Sequence, residues 1–383
     1  MINVFQPALG EEELGAVAEV FAENWPGHGR RTQKFEAEFA HHIGVDPDQV
    51  IFLNSCTSGL FLAAQTLELG PGDDVVLPSA VFVAAANAVA ASGARPVFCD
   101  VDPRTSNPTA AHIEQALTPR TKAVLVLHYG GYPGDIEAIA RLCRQRGVTL
   151  IEDAACSVAS RVGDTACGTF GSIAVWSFDS AKVLVTGDGG MLYVRDPKLA
   201  RRARTLAYHG LKHDSGFAAA RVSPRWWELE LEAFGRRVVG NDLTAALGSV
   251  QLAKLPANVA RRREIAHLYD RLLADVDGVQ TPPALPEGHL STHYFYWVQL
   301  APEIRDDVAA DLLAEGVYTT FRYPPLHKVP AYGAGDTSLP GSEQVAARTL
   351  LIPLHQGLDD TEVHTVAGTL RKAVEHRSTV RRT

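Results

Sequence analysis

A chain of 383 residues, 46% of them hydrophobic and 21% charged, carries enough apolar side chain for a large α/β domain with a smaller partner. A net charge of −8 with no basic stripe argues against a nucleic-acid partner, and no apolar run approaches the ~20 residues that cross a bilayer. Cys56, Cys99, Cys143, Cys156 and Cys167 form no CxxC pair and no zinc spacing, and the first residues lack the blocks of a signal peptide. The expectation is a cytoplasmic protein without a metal site.

Glu11, Glu12 and Glu13 open a helix, with acids in the first turn where the macrodipole favours them, running to about residue 23. NWPGHG must be a loop, and its Trp25 either walls a pocket or anchors the core. From Arg31, Phe35, Phe39 and Ile43 recur at helical spacing. Residues 50–53 form a short buried strand. Ser55, Cys56, Thr57, Ser58 and Gly59 then lead into a helix over 60–67. A strand that turns through small hydroxyl residues into a helix points backbone N–H groups at an anion such as phosphate. The same residues would also serve as an ordinary N-cap.

Residues 74–77, 95–100, 122–127 and 148–151 read as strands, separated by helices over 81–91, 109–117 and 134–146. This alternation implies βαβ units and a mainly parallel sheet. The 81–91 helix is apolar nearly all round and therefore buried. Phe82 falls in its first turn, at the C-terminal end of a strand, where open α/β sheets bind ligands. Glu152 and Asp153 end the 148–151 strand, so the Asp153 carboxylate lies at that same functional edge; a helix N-cap is the alternative for either acid.

The stretch IAVWSFDSAKVLVTGDGGMLYV, residues 173–194, reads as a strand, a loop holding Lys182, a glycine-rich turn and a second strand. Apolar neighbours at 181 and 183–185 would desolvate the lysine, lower its pKa and leave an amine nucleophile. Locally, a surface hairpin with a solvated lysine fits the same letters. The turn Gly187-Asp188-Gly189-Gly190 does not have the GxGxxG spacing of a dinucleotide site and opens no helix.

Residues 196–209 are helical, and 213–237, with Arg225-Trp226-Trp227, are irregular. A helix over 241–255 is interrupted at Pro256, and 257–273 continue as a long amphipathic helix. This suggests a large domain over 1–255 and a smaller α+β domain over 256–383. The latter has strands at 294–300 and 317–320 and helices at 305–315, 342–350 and 360–375. Its segment FRYPPLHKVPAY is held extended by its prolines and carries Arg322, Tyr323, His327 and Lys328.

Four features fit one ligand: a phosphate cradle at Thr57 and Ser58, an aromatic cover at Phe82, a carboxylate at Asp153 and an amine at Lys182. Pyridoxal 5′-phosphate (PLP) needs all four. A carboxylate keeps the pyridine nitrogen protonated, and the protonated ring is an electron sink. The lysine holds the cofactor as an imine and, once displaced, is a free amine placed to move a proton.

The blocks NSCTSGL, PGDDVVLPSAVFVAAANAV, PVFCDVDP, TPRTKAVLVLHYGGYPGDI, IEDAAC, WSFDSAKVLVTGDGG, NDLTAALGSVQL and YPPLHKVPAY stand in series over nearly the whole chain. In them the chain resembles the DegT/DnrJ/EryC1/StrS family of PLP-dependent sugar aminotransferases. The resemblance implies the α/β PLP-transferase fold type I: a large domain with a mainly parallel mixed sheet flanked by helices, plus a smaller C-terminal α+β domain. It also implies a homodimer with active sites at the interface. By position, Lys182 is the imine lysine, Asp153 pairs with the pyridine nitrogen, Phe82 stacks on the ring, and Thr57, Ser58 and Ser177 bind the phosphate. His327 approaches the sugar, with Trp25, Arg322 and Tyr323 as further expected substrate contacts. The implied donor is L-glutamate and the implied acceptor a keto carbon of a nucleotide-linked deoxyhexose, with C4 of a dTDP-4-keto-6-deoxyhexose favoured. A C3 ketosugar, a cyclitol, an aminobenzoate-type acceptor and a non-catalytic ligand-binding relative are the alternatives.

Three positions depart from the family pattern. Cys156 stands where Gln or His is usual, beside the cofactor's phenolic oxygen, and a thiol is the poorer hydrogen-bond partner. Arg237 stands where an Asn usually reaches the partner subunit's phosphate; a guanidinium can serve a phosphate or form a surface ion pair. Arg322 replaces a frequent His. Lys182 itself argues against the family's dehydratase branch, which carries His there.

Overall fold

Seven buried strands share one sheet in the computed structural model, which describes residues 1–212, 220–221, 224–225, 227–335 and 337–380. Trp226 and most of the irregular stretch expected from residue 213 onward lie outside the described residues. The strands are β1 (Val50–Leu53), β2 (Asp74–Pro78), β3 (Arg95–Cys99), β4 (Thr121–Leu127), β5 (Thr149–Asp153), β8 (Ile173–Ser177) and β9 (Gly190–Val194); β6 (Arg161–Val162) and β7 (Thr165–Ala166) form a small hairpin between them, which β10 (His289–Leu290) joins alongside β6. The order is β1-β9-β8-β5-β4-β2-β3. From β8 to β3 every pairing is parallel, whereas β9 runs antiparallel to both its neighbours. The C-terminal ends of β1, β2, β4, β5 and β8 therefore meet at one edge.

Helices α1 (Glu11–Glu23), α2 (Arg30–Ile43), α3 (Cys56–Thr66), α4 (Val83–Ala91), α5 (Ala110–Ala116), α6 (Ile136–Arg146) and α7 (Pro197–Ala207) surround the sheet. Phe35 and Phe39 of α2 pack edge-on against Phe52 of β1 and Trp176 of β8, with ring centres 5.0 and 5.2 Å apart. Tilted or T-shaped rings at such distances add to their area burial, so this cluster fixes α2 against the sheet.

Three expectations are corrected here. Pro256 does not interrupt a helix: Asp242–Leu273 is one helix of 32 residues, and the expected boundary at 255/256 falls inside it. Its buried positions, from Ala245 through Leu255 to Tyr269 and Leu273, outweigh the one hydrogen bond that proline cannot make. At Gly248 the Phe35 ring lies where a Cβ would sit, 2.5 Å from its Cζ, so the helix backbone and α2 meet directly. The helix expected over 342–350 ends at Arg348, and β12 (Thr349–Ile352) pairs antiparallel with β11 (Tyr296–Gln299). Residues 317–320 make only single bridges, Val317 to Ile2 and Thr320 to Leu351.

A second buried cluster joins Ile265, Tyr269 and Leu273 to Tyr296, Val298, Val363 and Leu370, and Ile2 packs on it. The start of the chain is tied into this body: Ile2 N donates to Gly316 O at 2.8 Å and Leu354 N to Val4 O at 3.2 Å. Among the described residues no helix is long and apolar enough to cross a membrane, and no group of His, Cys, Asp and Glu is placed to hold a metal.

Candidate active site

The converging strand ends open on a cavity of about 670 Å³. Its floor begins at α3, which starts four residues earlier than its apolar pattern because Ser55 caps it. Ser55 Oγ accepts from Ser58 N at 3.1 Å and donates to Ser58 Oγ at 2.9 Å. The first turn places Ser55, Cys56 and Thr57 on the cavity wall. Glycines allow the helix to lie this close. A Cβ at Gly190 would come 2.5 Å from Cys56 N, and one at Gly59 2.4 Å from Val175 Cγ1. The N-terminus of an eleven-residue helix, with its unpaired N–H groups, thus faces the cavity at the edge where β8 ends in Ser177.

Strand alternation separates the two acids at the end of β5. Glu152 points away from the cavity: its Oε2 lies 2.8 Å from His128 Nε2, and the carboxylate accepts from Gly168 N and Gly171 N at 2.7 and 2.6 Å. Asp153 lines the cavity, buried, with one backbone donor, Ala155 N at 3.1 Å. Burial pushes its carboxyl above the usual range, against the pull of that N–H and of Lys182.

Lys182 is buried on the same cavity. Its loop is internally braced: Thr186 N donates to Phe178 O at 2.9 Å, and Ala181 N and Lys182 N donate to Asp179 at 2.9 Å each. The Nζ lies 4.3 Å from the ring centre of Tyr294. The expected lowering of the lysine pKa is corrected. Burial does pull the ammonium down, but Tyr294, the thiols of Cys156 and Cys56, and Asp153 outweigh it and hold Lys182 above its ordinary value.

The remaining wall comes from distant parts of the sequence. Phe82 is the N-cap of α4 rather than a first-turn residue, its ring 48% exposed and 5.6 Å from that of Tyr323. Tyr323 and Arg322 both line the cavity. The Arg322 guanidinium lies 4.7 Å over the Phe5 ring, and its Nη1 donates to Tyr294 Oη at 3.4 Å. Cys156 sits just behind Ala155, its thiol pushed up by burial, with the Tyr323 hydroxyl as hydrogen-bond partner.

With Cys156, five expected site residues are not among those that line this cavity. Ser58 lines a neighbouring cavity, its hydroxyl turned to Ser55. Trp25 is half exposed at the surface, its indole N–H donating to His28 O at 3.1 Å. Arg237 is exposed, its guanidinium 5.2 Å over the Tyr208 ring. His327 is buried, with Nδ1 2.6 Å from Ser79 Oγ and Nε2 3.2 Å from Glu343 Oε1. Both of its nitrogens are thus engaged inside the protein, directly after Leu326, which lines the cavity. Two residues packed against Lys182 and Arg322 escaped sequence reasoning. Tyr294 sat in an expected strand with no motif around it, and Phe5 carried no signal at all.

A buried lysine beyond one parallel strand, a buried aspartate at the end of the next and a helix N-terminus beside them define the fold type I class of PLP-dependent transferases. Within that class the chain belongs to the DegT/DnrJ/EryC1/StrS aminotransferase family, whose model matches residues 7–371; it is an aminotransferase. It is 67% identical over 376 residues, 98% of this chain and 97% of the relative, to the dTDP-4-dehydro-2,3,6-trideoxy-D-glucose 4-aminotransferase of Saccharopolyspora spinosa. It is 35% identical over 96% of both chains to the spore coat polysaccharide biosynthesis protein SpsC of Bacillus subtilis (strain 168). The crystal structure of the aminotransferase TlmJ from Streptoalloteichus hindustanus superposes with a TM-score of 0.94 at 59% identity, covering 99% of this chain and all of that one.

Proposed function

We propose that this enzyme moves an amino group from L-glutamate to C4 of a dTDP-4-keto-6-deoxyhexose, in the cytoplasm, as a PLP-dependent homodimer. The observation that carries the reading is the 67% identity, end to end, to a relative named for 4-amination of a dTDP-linked ketosugar.

The residues present fit PLP. Asp153 is a buried carboxylate with a single backbone partner, suited to hold the proton of a ring nitrogen. The N-terminus of α3, with Thr57 and Ser177, suits a phosphate. Phe82 offers an exposed ring at the wall. When bound, the cofactor supplies an aldehyde for an amine and a ring that takes up an electron pair. Lys182 must shed its proton before its Nζ can act as nucleophile, and the freed amine would then be available to move a proton. Tyr323 and Phe82 place two rings, 5.6 Å apart, on the wall of the same cavity.

The dimer is supported by surface. Phe234 is 90% exposed and Leu229 82%, beside a cavity of about 650 Å³ lined by Phe61, Leu62 and Ala88. A second copy covering this face would bury it and would bring Arg237 to the partner's phosphate site. The division into a larger and a smaller body belongs to the same reading, supported by the two buried clusters. The test is incubation with glutamate and a panel of dTDP-ketohexoses, products resolved by mass and NMR. A 4-amino product supports the reading. Lack of competition by dTDP, or amination at C3, overturns it.

A further inference from the structure

We infer that Arg262, His355 and Gln356 form an internal site for one small monovalent anion, chloride or a halide of its size, at the seam between the two buried clusters. None of the three lines the cavity of Lys182 and Asp153, so the inference stands apart from the function proposed above.

The first observation is a buried cation without a counter-ion. Arg262, on the Asp242–Leu273 helix, is 0% exposed. Its Nε donates to Gln356 Oε1 at 2.9 Å, and its Nη1 to the carbonyls of His293, Tyr294 and Leu354 at 3.1, 3.0 and 3.0 Å. Every one of these acceptors is a neutral amide oxygen. Among the described residues no carboxylate pairs with Arg262; Glu264 and Asp360, on the flanking segments, pair with Arg261 instead. Burial lowers the pKa of Arg262 to about 10, which leaves the guanidinium charged at neutral pH. A charge taken out of water is costly until an opposite one joins it.

The second observation is a set of unanswered nitrogens. Three carbonyls crowd Nη1, whereas Nη2 is buried with no hydrogen-bond partner among the described residues. Gln356 Nε2 and His355 Nδ1 are buried and unpartnered as well. Nε and Nη2 form one edge of the guanidinium, and Gln356 meets that edge with its oxygen. The spare N–H groups of Gln356 and of Nη2 thus flank a single hydrogen bond. His355 is the neighbouring residue; burial, and then the Arg262 charge, lower its pKa to about 4. Its ring is therefore neutral at neutral pH, and the tautomer with the proton on Nδ1 makes it a third donor.

The third observation is the sign of the surroundings. His293 is also brought down to about 4, by burial first and then by His267, Arg262 and Arg263. The field at this seam is positive. A single negative charge balances the one buried guanidinium, whereas a phosphate or sulfate would overshoot it. Arg262 already ties Tyr294 of the first cluster to Leu354 of the second, so an anion held there fastens the two to each other.

The test uses cofactor-loaded wild type, Gln356→Leu and Gln356→Glu, melted in sodium chloride and in sodium gluconate at equal ionic strength. Wild-type crystals are also soaked in bromide. The wild-type midpoint should rise saturably with chloride, by about 2 °C at tenfold the Kd. Bromide should give an anomalous peak within hydrogen-bond reach of Arg262 Nη2. Gln356→Leu should raise the Kd for chloride about tenfold. Gln356→Glu supplies its own carboxylate, so it should lose the chloride response and melt in gluconate no lower than chloride-saturated wild type. A wild-type midpoint indifferent to chloride, an undiminished response in Gln356→Glu, or an ordered water where bromide is expected overturns the site. If Gln356→Leu fails to fold, the glutamate variant and the bromide crystal decide.

Discussion

Burial and neighbouring side chains act in opposite directions at Lys182, and the neighbours, Tyr294 foremost, win. Sequence showed the apolar flanks at 183–185 but not Tyr294 or Cys56, which the fold delivers from more than a hundred residues away on either side. That is why the residue was legible and the sign of its shift was not. Lys182→Ala should remove both the visible absorbance of the bound cofactor and turnover; spectra after dialysis against PLP check this, and retained turnover would take the lysine out of its role. Asp153 and Ser177 were legible because strand ends of a parallel sheet point to one edge. His327 was not, because its place depends on Ser79 and Glu343. A second residue-scale prediction concerns Asp74. Its buried carboxylate accepts from Arg95 Nε and Nη2 at 2.9 and 2.7 Å and from Thr118 Oγ1 at 2.6 Å, with Arg95 foremost in holding its pKa down to about 2. A folded value below the unfolded one stabilises the fold above the unfolded pKa, and this contribution is lost as pH falls through the folded one. With both arginine partners largely exposed and screened, Asp74→Asn should cost about 1–2 kcal/mol at pH 7, a difference that closes between about pH 4 and 2. Urea melts across that range measure it.

Elements repeat the lesson at longer range. The alternation of strands and helices through residue 194 was legible because each period is local. The short β12 was not: TLLI follows directly on a helix, and only its pairing with β11 makes it a strand. Pro256 misled for the opposite reason, since local chemistry says break and packing says continue. The proline withholds one N–H from the Asp242–Leu273 helix, and its ring crowds the preceding turn. Pro256→Ala should therefore raise the unfolding midpoint, by roughly 1–3 kcal/mol in stability. A lowered midpoint would mean that the proline is needed as a bend.

Whole-molecule organisation follows from where buried surface stops. The central sheet is covered on both faces, the second cluster closes around β11 and β12, and the chain's first residues stitch the two. Among the described residues, Leu229, Leu231 and Phe234 stay exposed close together in sequence. Phe234→Asp places a charge on the face assigned to the proposed dimer and should raise the monomer fraction in sedimentation, with activity falling in parallel; an unchanged sedimentation coefficient would take this face out of the interface. The central claim is that one amine, Lys182, carries the cofactor in the cavity it shares with Asp153. Borohydride reduction of the PLP-loaded protein, followed by peptide mapping, tests it most directly. The account predicts a pyridoxyl group on Lys182. A label on another lysine, or none on this peptide, would contradict it.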